Sequence, residues 1–513
     1  MAVFVETSLF FFSLLLLLLT SRDVVRILAS DSFDSSSFPP DFIFGTGSSA
    51  YQYEGVANGD GKGPSIWDFF THKYPERIID GSNGDVAVDF YHQYKEDIKL
   101  MKLQRLNGFK FSISWSRILP YGKLSRGINK EGIVFYNNLI NELLANGIQP
   151  LVSIFHWDLP QALEEEYQGF LSPKIVNDFR DYAELCFREF GDRIKHWITI
   201  NEPYTYAVFG YVFGSHAPGR CTKNCGCAVD GNAATEPYIV GHHMLLAHAK
   251  TVNLYRKKYK ASQNGKIGIS LVSDWYVPYS TKKEDIEATQ RALDFMFGWF
   301  IDPITYGDYP ASMHKLVRNR LPKFTSEEAE MVKSSYDFLG LNYYTSAYAA
   351  NVVYTNVTMS YGTDINVYQT GKKNEIPIGE PTGSKSIFVV PKGLQELLVY
   401  TKEKYKNPII YVTENGMSDA NVTTVQQGVN DLQRTNYIRR HLLAIRDALQ
   451  DGVNVKGYFV WSFLDNFEWN WGCTQRYGIN YVDYNDNLKR YPKRSALWLE
   501  KFLSSREIPR SDC

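Results

Sequence analysis

The segment Ile198-Thr-Ile-Asn-Glu-Pro203 decides the fold, because its pattern recurs through the rest of the chain. An apolar, β-branched run ends in the carboxylate of Glu202 and a turn-forming proline. This pattern is typical of a strand that presents a side chain at its C-terminal tip. The segment Tyr411-Val-Thr-Glu-Asn-Gly416 repeats it and places Glu414 at the corresponding point. Two glutamates presented in this way can share one reaction centre, one as proton donor and the other as nucleophile.

Outward from these segments, short β-branched runs alternate with longer stretches of helical periodicity. Helices are predicted over Asn129–Asn146, Asn177–Phe190 and Asp431–Gln450, each followed by a glycine at or near its end. The eight runs are Phe42–Thr46, Gly108–Trp115, Pro150–His156, His196–Asn201, Lys266–Asp274, Asp337–Tyr344, Ile409–Glu414 and Val455–Trp461. Eight strands alternating with helices predict an α/β fold, a single (β/α)8 TIM barrel. A doubly wound open sheet is the alternative, but no glycine-rich phosphate loop follows the first run.

The chain is longer than a minimal barrel requires, so long loops are expected over the C-terminal face of the barrel. The polar candidates are Ala217–Thr235, Tyr276–Asp285 and Asn351–Lys385, and the last is expected to fold over the barrel mouth. The catalytic domain is expected over residues 38–505, followed by a short tail at 506–513.

The extreme N-terminus has the features of a targeting segment. Residues 7–19 form an apolar run that is short for a membrane span, and small residues follow near Ala29. A cleaved secretory signal is therefore predicted over residues 1–29, although its first residues carry no Lys or Arg. The predicted destination is the secretory pathway, with the vacuole or the extracellular space (apoplast) both open. No membrane association is expected after signal removal.

Cysteines and sequons agree with a secretory route. Cys221, Cys225 and Cys227 lie in one polar loop, and without a second Cys/His cluster they favour a loop disulfide over a metal site. The sequence alone leaves their pairing open. Glycosylation is predicted at Asn356 and Asn421, each in an Asn-Val-Thr sequon. No metal or organic cofactor is implied.

The amino-acid composition limits the classes of binding partner. The 513 residues are 44% apolar and carry a net charge of −1, so nothing suggests nucleic acid or an anionic membrane as a partner. Aromatic residues reach 15%, which suits stacking on the C–H faces of sugars, although composition alone favours a large aromatic core as the explanation.

The predicted strand ends collect polar and aromatic side chains at one rim, where a barrel places its chemistry. Each could be structural by itself, so the indication lies in their joint occurrence. They are Gln52 after the first strand, Arg117 after the second, His156 on the third, Asn201 and Glu202 on the fourth, Asn342 and Tyr344 on the sixth, Glu414 on the seventh, and Trp461, Glu468 and Trp469 on or after the eighth.

Four motifs stand in order along the chain: Phe42-Ile-Phe-Gly-Thr-Gly-Ser-Ser-Ala-Tyr-Gln-Tyr-Glu-Gly55, Thr199-Ile-Asn-Glu-Pro203, Val412-Thr-Glu-Asn-Gly416 and Trp461-Ser-Phe-Leu-Asp-Asn-Phe-Glu-Trp469. With them the sequence resembles the plant β-glucosidases of glycoside hydrolase family 1 over about residues 38–505. The resemblance implies a small-molecule glycoside as substrate, a homodimer, and a disulfide between Cys221 and Cys227.

The resemblance also implies roles for the rim residues. Glu414 would be the nucleophile, supported by Arg117 and Tyr344, and Glu202 would be the acid/base. Asn201 would hold the sugar 2-hydroxyl, Asn342 would line the site, and Glu468 would bind the hydroxyls at C4 and C6. The other glycone-binding residues would be Gln52, His156, Trp461 and Trp469.

This pair predicts a retaining double displacement through a covalent glycosyl-enzyme, with carboxyl groups about 5–5.5 Å apart. Glu414 must be charged to attack, whereas Glu202 must be protonated and therefore needs surroundings that raise its pKa. Once Glu414 carries the sugar, its charge is gone, and Glu202 can then act as base on water.

Departures from the family pattern bear on the substrate. Tyr204 follows Asn-Glu-Pro where many members have Trp, and Ser386 stands where many plant relatives place a Trp against the aglycone. The wording Ile378-Gly-Glu-Pro-Thr-Gly383 is similar to the β-primeverosidase-like branch, which removes disaccharides as a unit. We therefore expect a β-D-glucosidase of small metabolites, with a diglycosidase as the first alternative.

Three further alternatives are a transglucosidase, a hydrolase of a non-sugar ring, and a catalytically inactive glycan-binding protein. The intact glutamates speak against the inactive protein, and the intact sugar-binding residues disfavour the non-sugar ring. Myrosinase-like relatives lack the acid/base glutamate, so the presence of Glu202 disfavours a thioglucosidase.

Overall fold

Eight parallel strands form a closed barrel in the computed structural model, which describes residues 33–57, 59–355, 357–419 and 422–505. The strands follow one another around the ring in chain order. They are β1 (Ile43–Gly47), β2 (Gly108–Ser112), β3 (Gln149–Phe155), β4 (His196–Asn201), β5 (Lys266–Val272), β6 (Phe338–Asn342), β7 (Ile410–Asn415) and β8 (Val455–Val460). The predicted (β/α)8 barrel is confirmed.

A long helix follows each strand and packs outside the ring. These helices are α1 (Phe90–Leu103), α2 (Lys130–Ala145), α3 (Ile175–Phe190), α4 (Glu236–Leu254), α5 (Lys283–Leu293), α6 (Pro391–Lys404), α7 (Leu432–Gln450) and α8 (Arg494–Leu503). Asn129 caps α2, because its side-chain oxygen accepts from the Glu131 N–H at 3.2 Å. The three predicted helices agree with α2, α3 and α7 to within two residues.

Shorter elements fill the connections. The helices are Ala50–Tyr53, Ile66–Lys73, Trp115–Ile118, Gln161–Tyr167, Pro203–Tyr211, Lys260–Gln263, Trp299–Tyr306, Ala311–Val317, Ser326–Val332, Tyr361–Asp364 and Val425–Val429. The strands are Arg220–Thr222, Val229–Gly231, Trp275–Pro278, Ser346–Asn351, Val367–Thr370, Lys372–Lys373, Ile376–Pro377, Glu380–Pro381, Phe388–Val389, Asn480–Asp483 and Lys489–Pro492.

Predictions of extent need correction for one strand and for all three loops: Ala217–Thr235 contains the strands Arg220–Thr222 and Val229–Gly231, and Tyr276–Asp285 overlaps the strand Trp275–Pro278 and the start of α5. The run Gly108–Trp115 leaves the barrel at Ser112, because the chain turns into the short helix Trp115–Ile118. The predicted loop Asn351–Lys385 contains structure of its own, since Val367–Thr370 pairs with Ser346–Asn351 in a three-stranded sheet that also includes Trp275–Pro278.

The barrel interior is apolar at one level and polar at another. Six strands contribute one buried cluster: Ile43, Leu151, Ile198, Phe338, Tyr411 and Phe459. Nearer the C-terminal strand ends, Lys110, Ser270 and Thr413 carry hydrogen-bonding side chains into the ring. The apolar cluster fills one part of the barrel, so the polar chemistry lies toward the C-terminal end, as in other barrels of this kind.

The predicted loop disulfide is present between Cys221 and Cys227, whose Cα atoms are 5.8 Å apart, so this pairing is confirmed. Cys225 lies exposed between them with a free thiol. The glycosylation predictions at Asn356 and Asn421, the signal at 1–29 and the tail at 506–513 fall outside the described residues. Within the described ranges, no helix is long and apolar enough to cross a membrane.

Candidate active site

A cavity of about 360 Å³ opens at the C-terminal mouth of the barrel. Its size is within the range of small-molecule sites, roughly 300–1,000 Å³. Both Glu202 and Glu414 line it, together with aromatic side chains that include Tyr344, Trp461 and Trp469. The two motifs that the sequence places far apart are therefore brought to one site.

Glu414 lies near the end of β7 and is held by two donors. Lys110 Nζ donates to one carboxylate oxygen at 2.5 Å, and Tyr344 Oη donates to the other at 2.6 Å. All three side chains are buried or nearly so. Burial and the neighbouring Glu414 charge raise the pKa of Tyr344 above its ordinary value, so its hydroxyl stays protonated and keeps donating.

The prediction that Arg117 supports the nucleophile is wrong. Arg117 Nε donates to Glu54 Oε2 at 2.7 Å, and its Nη2 donates to the Gly55 carbonyl at 2.8 Å. The reason is that β2 ends at Ser112, sooner than predicted. Arg117 therefore belongs to the helix Trp115–Ile118 and pairs with the segment that follows β1. The cation beside Glu414 is Lys110 instead.

Sequence reasoning missed Lys110, although a signal for it exists. Lys110 lies in the middle of Gly108-Phe-Lys-Phe-Ser112, between two buried phenylalanines. Alternation along a strand sends Phe109 and Phe111 to the helix side, where Phe109 contacts Phe90 of α1, and sends Lys110 into the barrel. A lysine in the middle of a fully buried strand requires a partner of opposite charge. A carboxylate inside the ring provides that negative charge.

Glu202 has a different environment from Glu414. Asn342 Nδ2 donates to one oxygen at 2.7 Å, and Thr205 Oγ1 donates to the other at 2.6 Å. Burial is the main cause that raises the pKa of Glu202 to about 7, and the negative charge of Glu414 is the second. The side chain is thus able to carry a proton near neutral pH, as a proton donor must.

A hydrogen-bonded chain fixes the groups between the glutamates. Asn342 Oδ1 accepts from Thr413 Oγ1 at 2.6 Å, which orients its amide N–H toward Glu202. Asn201 Oδ1 accepts from Lys110 Nζ at 2.8 Å, so the same ammonium serves Glu414 and Asn201. Both asparagines are fully buried behind the lining of the cavity and set the orientation of the residues in front of them.

His156 presents a polar atom that the protein leaves without a partner. Asn201 Nδ2 donates to His156 Nε2 at 3.2 Å, which leaves the ring proton on Nδ1. Burial and the Lys110 charge lower the pKa of His156 well below its ordinary value, so the ring is neutral. Among the described residues Nδ1 has no hydrogen-bond acceptor, so it is available to a hydroxyl in the cavity.

Glu468 is held from two sides. Trp461 Nε1 donates to it at 3.2 Å, and Gln52 Nε2 donates to it at 3.3 Å. Burial raises the pKa of Glu468 to about 8. Gln52 itself is fully buried and also donates to the Phe467 carbonyl at 2.8 Å, so it anchors the segment that carries Glu468.

Trp469 completes an aromatic wall. Its ring stacks on His156 at 5.9 Å between centroids and contacts Trp157 at 4.5 Å. Trp461 also stacks on His156, at 5.9 Å between ring centroids. Flat apolar faces beside hydroxyl-binding groups suit a sugar ring. The structure thus brings all the predicted site residues except Arg117 into or directly behind one cavity.

We expect Lys110→Met to reduce kcat/KM by on the order of 10²–10³-fold, the loss typical when one charge-stabilising donor leaves an active site. The loss should be similar for good and poor leaving groups, because Lys110 donates to Glu414 and not to Glu202. Steady-state kinetics with two substrates that differ only in the leaving group measures this. Arg117→Lys is the control: it keeps a cation beside Glu54, and a loss as large as that in Lys110→Met would contradict the assignment.

The site combines a carboxylate held by cationic and phenolic donors, a second carboxyl with a raised pKa, and a wall of hydroxyl-binding and aromatic groups. Within the described ranges, no three His, Cys, Asp or Glu side chains lie together as a metal-binding group. This combination at a barrel mouth defines a glycoside hydrolase.

The chain belongs to Glycosyl hydrolase family 1, whose family model matches residues 34–508, and within that family it is a plant β-glucosidase homologue. Furcatin hydrolase of Viburnum furcatum is 60% identical, covering 93% of this chain and 88% of that protein. β-Glucosidase 12 of Oryza sativa subsp. japonica is 58% identical, covering 91% and 92%. A mutant of the rice Os3BGlu6 β-glucosidase, solved in a covalent complex with Glc, has a TM-score of 0.90 at 48% identity, covering 92% of this chain and 100% of that chain.

Proposed function

We propose that this protein hydrolyses O-β-D-glucosides of small metabolites by a retaining double displacement. The observation that carries the proposal is the contrast between two glutamates in one cavity. Glu414 receives hydrogen bonds from an ammonium and a phenol, whereas Glu202 is buried with its pKa raised to about 7. The covalent complex of the structurally similar rice enzyme supports a covalent intermediate.

In the first step, a Glu414 oxygen attacks the anomeric carbon, the bond from that carbon to the glycosidic oxygen breaks, and Glu202 protonates the departing oxygen. The product of this step is an ester between Glu414 and the sugar. In the second step, Glu202 takes a proton from water, the water oxygen attacks the anomeric carbon, and Glu414 leaves as a carboxylate. Two inversions return a β-configured product.

A second candidate function is that of a diglycosidase, which would release a disaccharide as a unit, and Ser386 favours it. This residue lines the outer cavity beside Ile387, and its hydroxyl lies 3.3 Å from Ser384 Oγ. A serine there occupies far less volume than the Trp that the family resemblance suggests, which leaves room for a second sugar on the glycone.

One experiment distinguishes these proposals. The enzyme is given an aryl β-glucoside and its 6-O-xylosyl diglycoside, and the products are followed by ¹H NMR from the first minutes. We expect β-glucose to form first and its α-anomer to appear only by mutarotation. Release of intact disaccharide from the second substrate would establish the diglycosidase, whereas first-formed α-product would contradict the retaining mechanism.

Secretory localisation remains a proposal. It is supported by the Cys221–Cys227 disulfide, because such bonds persist in oxidising compartments. Peptide mapping of the protein purified from its native tissue would test both this pairing and the predicted loss of residues 1–29.

A further inference from the structure

Asp274 lies in the active-site cavity, and the mechanism above does not use it. It follows β5 by two residues and lines the same cavity as Glu202 and Glu414. Val272, Met296 and Tyr204 are among its neighbours in the cavity wall. Asp274 is only partly buried, so its carboxyl can be reached by a molecule in the cavity.

The protein supplies no partner for the Asp274 carboxyl among the residues that the structure describes. Within the part of the chain that the structure describes, no ion pair includes Asp274 and no hydrogen bond is donated to its carboxyl oxygens. Burial, the one cause at work, raises its pKa to about 7. The tyrosines around it donate elsewhere: Tyr276 Oη to Met296 Sδ at 3.2 Å, and Tyr343 Oη to the Val390 carbonyl at 2.7 Å.

The position of Asp274 in the ring assigns it to the leaving group. The hydroxyl-binding side chains Gln52, His156 and Glu468 come from the segments around β1, β3 and β8, and the glutamates come from β4 and β7. Strand β5 lies across the ring from β1. The sector that holds Asp274 is therefore opposite the glycone, where the group released from the sugar must lie.

Charge complementarity points in the same direction. Four carboxyl side chains line the cavity, namely Glu202, Asp274, Glu414 and Glu468, and no lysine or arginine side chain is among its lining residues. The histidine on the outer wall, His216, is neutral because burial lowers its pKa to about 4. Above pH 7, where Glu202 and Asp274 are mostly ionised, the lining favours a donor or a cation at its open sector and disfavours an anion there.

We propose that Asp274 is a specificity-determining residue that accepts a hydrogen bond from a donor on the leaving group, either a hydroxyl or an ammonium. This inference rests on the proposed glycosidase function and adds the chemical class of aglycone to it. A hydroxyl or ammonium on the aglycone would donate to a carboxylate that receives no hydrogen bond from the described residues, whereas a carboxylate- or sulfate-bearing aglycone would meet repulsion.

The test uses phenyl β-D-glucosides that carry methyl, hydroxymethyl or aminomethyl at the 3- or 4-position, assayed at pH 8. The wild-type enzyme should prefer at least one donor-bearing substrate over its methyl analogue by about tenfold or more in kcat/KM, the size of a hydrogen bond to a charged group. Asp274→Leu should reduce that ratio to about one. Asp308→Asn, which changes an exposed carboxylate, is the control and should keep the wild-type ratio.

Asp274→Asn distinguishes the two donors. A hydroxymethyl preference retained in the asparagine variant identifies a hydroxyl, because the amide oxygen still accepts; an aminomethyl preference lost in it identifies an ammonium. Equal ratios in the wild type and Asp274→Leu would overturn the inference. Absence of turnover of every methylphenyl glucoside by the wild type would instead overturn the proposed function, so the two failures are distinguishable.

Discussion

Glu414→Gln is expected to lower kcat on aryl β-glucosides by roughly 10⁵-fold, the order of loss when a covalent nucleophile is removed from an enzyme. The amide keeps the shape of the side chain but cannot form the ester to the sugar. Lys110 Nζ and Tyr344 Oη, which now donate to the carboxylate at 2.5 and 2.6 Å, would face a neutral group. Steady-state kinetics with an activated aryl glucoside measures the loss, and unchanged turnover would contradict the mechanism.

A complementary experiment separates the nucleophile from the acid. Azide added to Glu414→Ala should attack the sugar directly and give the α-glucosyl azide, because only one inversion takes place. The same anion added to Glu202→Ala should intercept the glycosyl-enzyme and give the β-azide. Identical anomers from the two variants would show that the glutamates do not have the separate roles proposed for them.

The sequence could predict the barrel and its rim because each motif combines the local periodicity of a strand with a polar or charged residue at the end of that strand. Glu202, Glu414 and Glu468 each stand beside a turn or an aromatic residue, and the fold brings them to one cavity. The sequence could not predict how deeply each of these side chains is buried or which residues it contacts. Asn201 is fully buried, and in the structure it holds His156 and Lys110 in place.

The error at Arg117 shows why order along the chain is a weak guide to contacts. Arg117 follows a strand, as the true site residues do, but a short helix begins at Trp115 and turns the guanidinium toward Glu54. Lys110 lies inside its strand, whereas the pattern that identifies the other residues of the cavity concerns strand ends. The alternation Phe109-Lys110-Phe111 was the available signal, and its interpretation requires the charge to be paired within the ring.

Asp274 marks a different limit. The run Lys266–Asp274 ends in a carboxylate, as other runs do, and nothing in its neighbours states whether that group is paired. Whether a carboxyl has a partner depends on the tyrosines, methionine and loop segments packed around it, which come from the connections that follow β4, β5 and β6. Leaving-group specificity is therefore a property of tertiary structure, whereas the catalytic motifs can be read locally.

Glu202→Gln should produce a loss that depends on the leaving group. For a poor leaving group such as an alkyl alcohol, the loss in kcat/KM should be about 10²–10⁴-fold, the usual contribution of general acid catalysis. For 2,4-dinitrophenyl glucoside it should be small, because that phenolate departs without a proton. Comparing kcat/KM for both substrates measures the dependence, and an equal loss on each would contradict a proton-donor role.

The pH profile gives the same residue a second test. Glu202 must be protonated to act as acid, and its pKa is raised to about 7 by burial and by Glu414, so kcat/KM on a poor leaving group should fall as pH rises through about 7. Thr205 Oγ1 donates to Glu202 at 2.6 Å and favours its charged form. Thr205→Val removes that donor, so the pKa of Glu202 should rise and the alkaline limb should move to higher pH. A limb that stays in place in Thr205→Val, or that persists in Glu202→Gln, would assign the titration to another group.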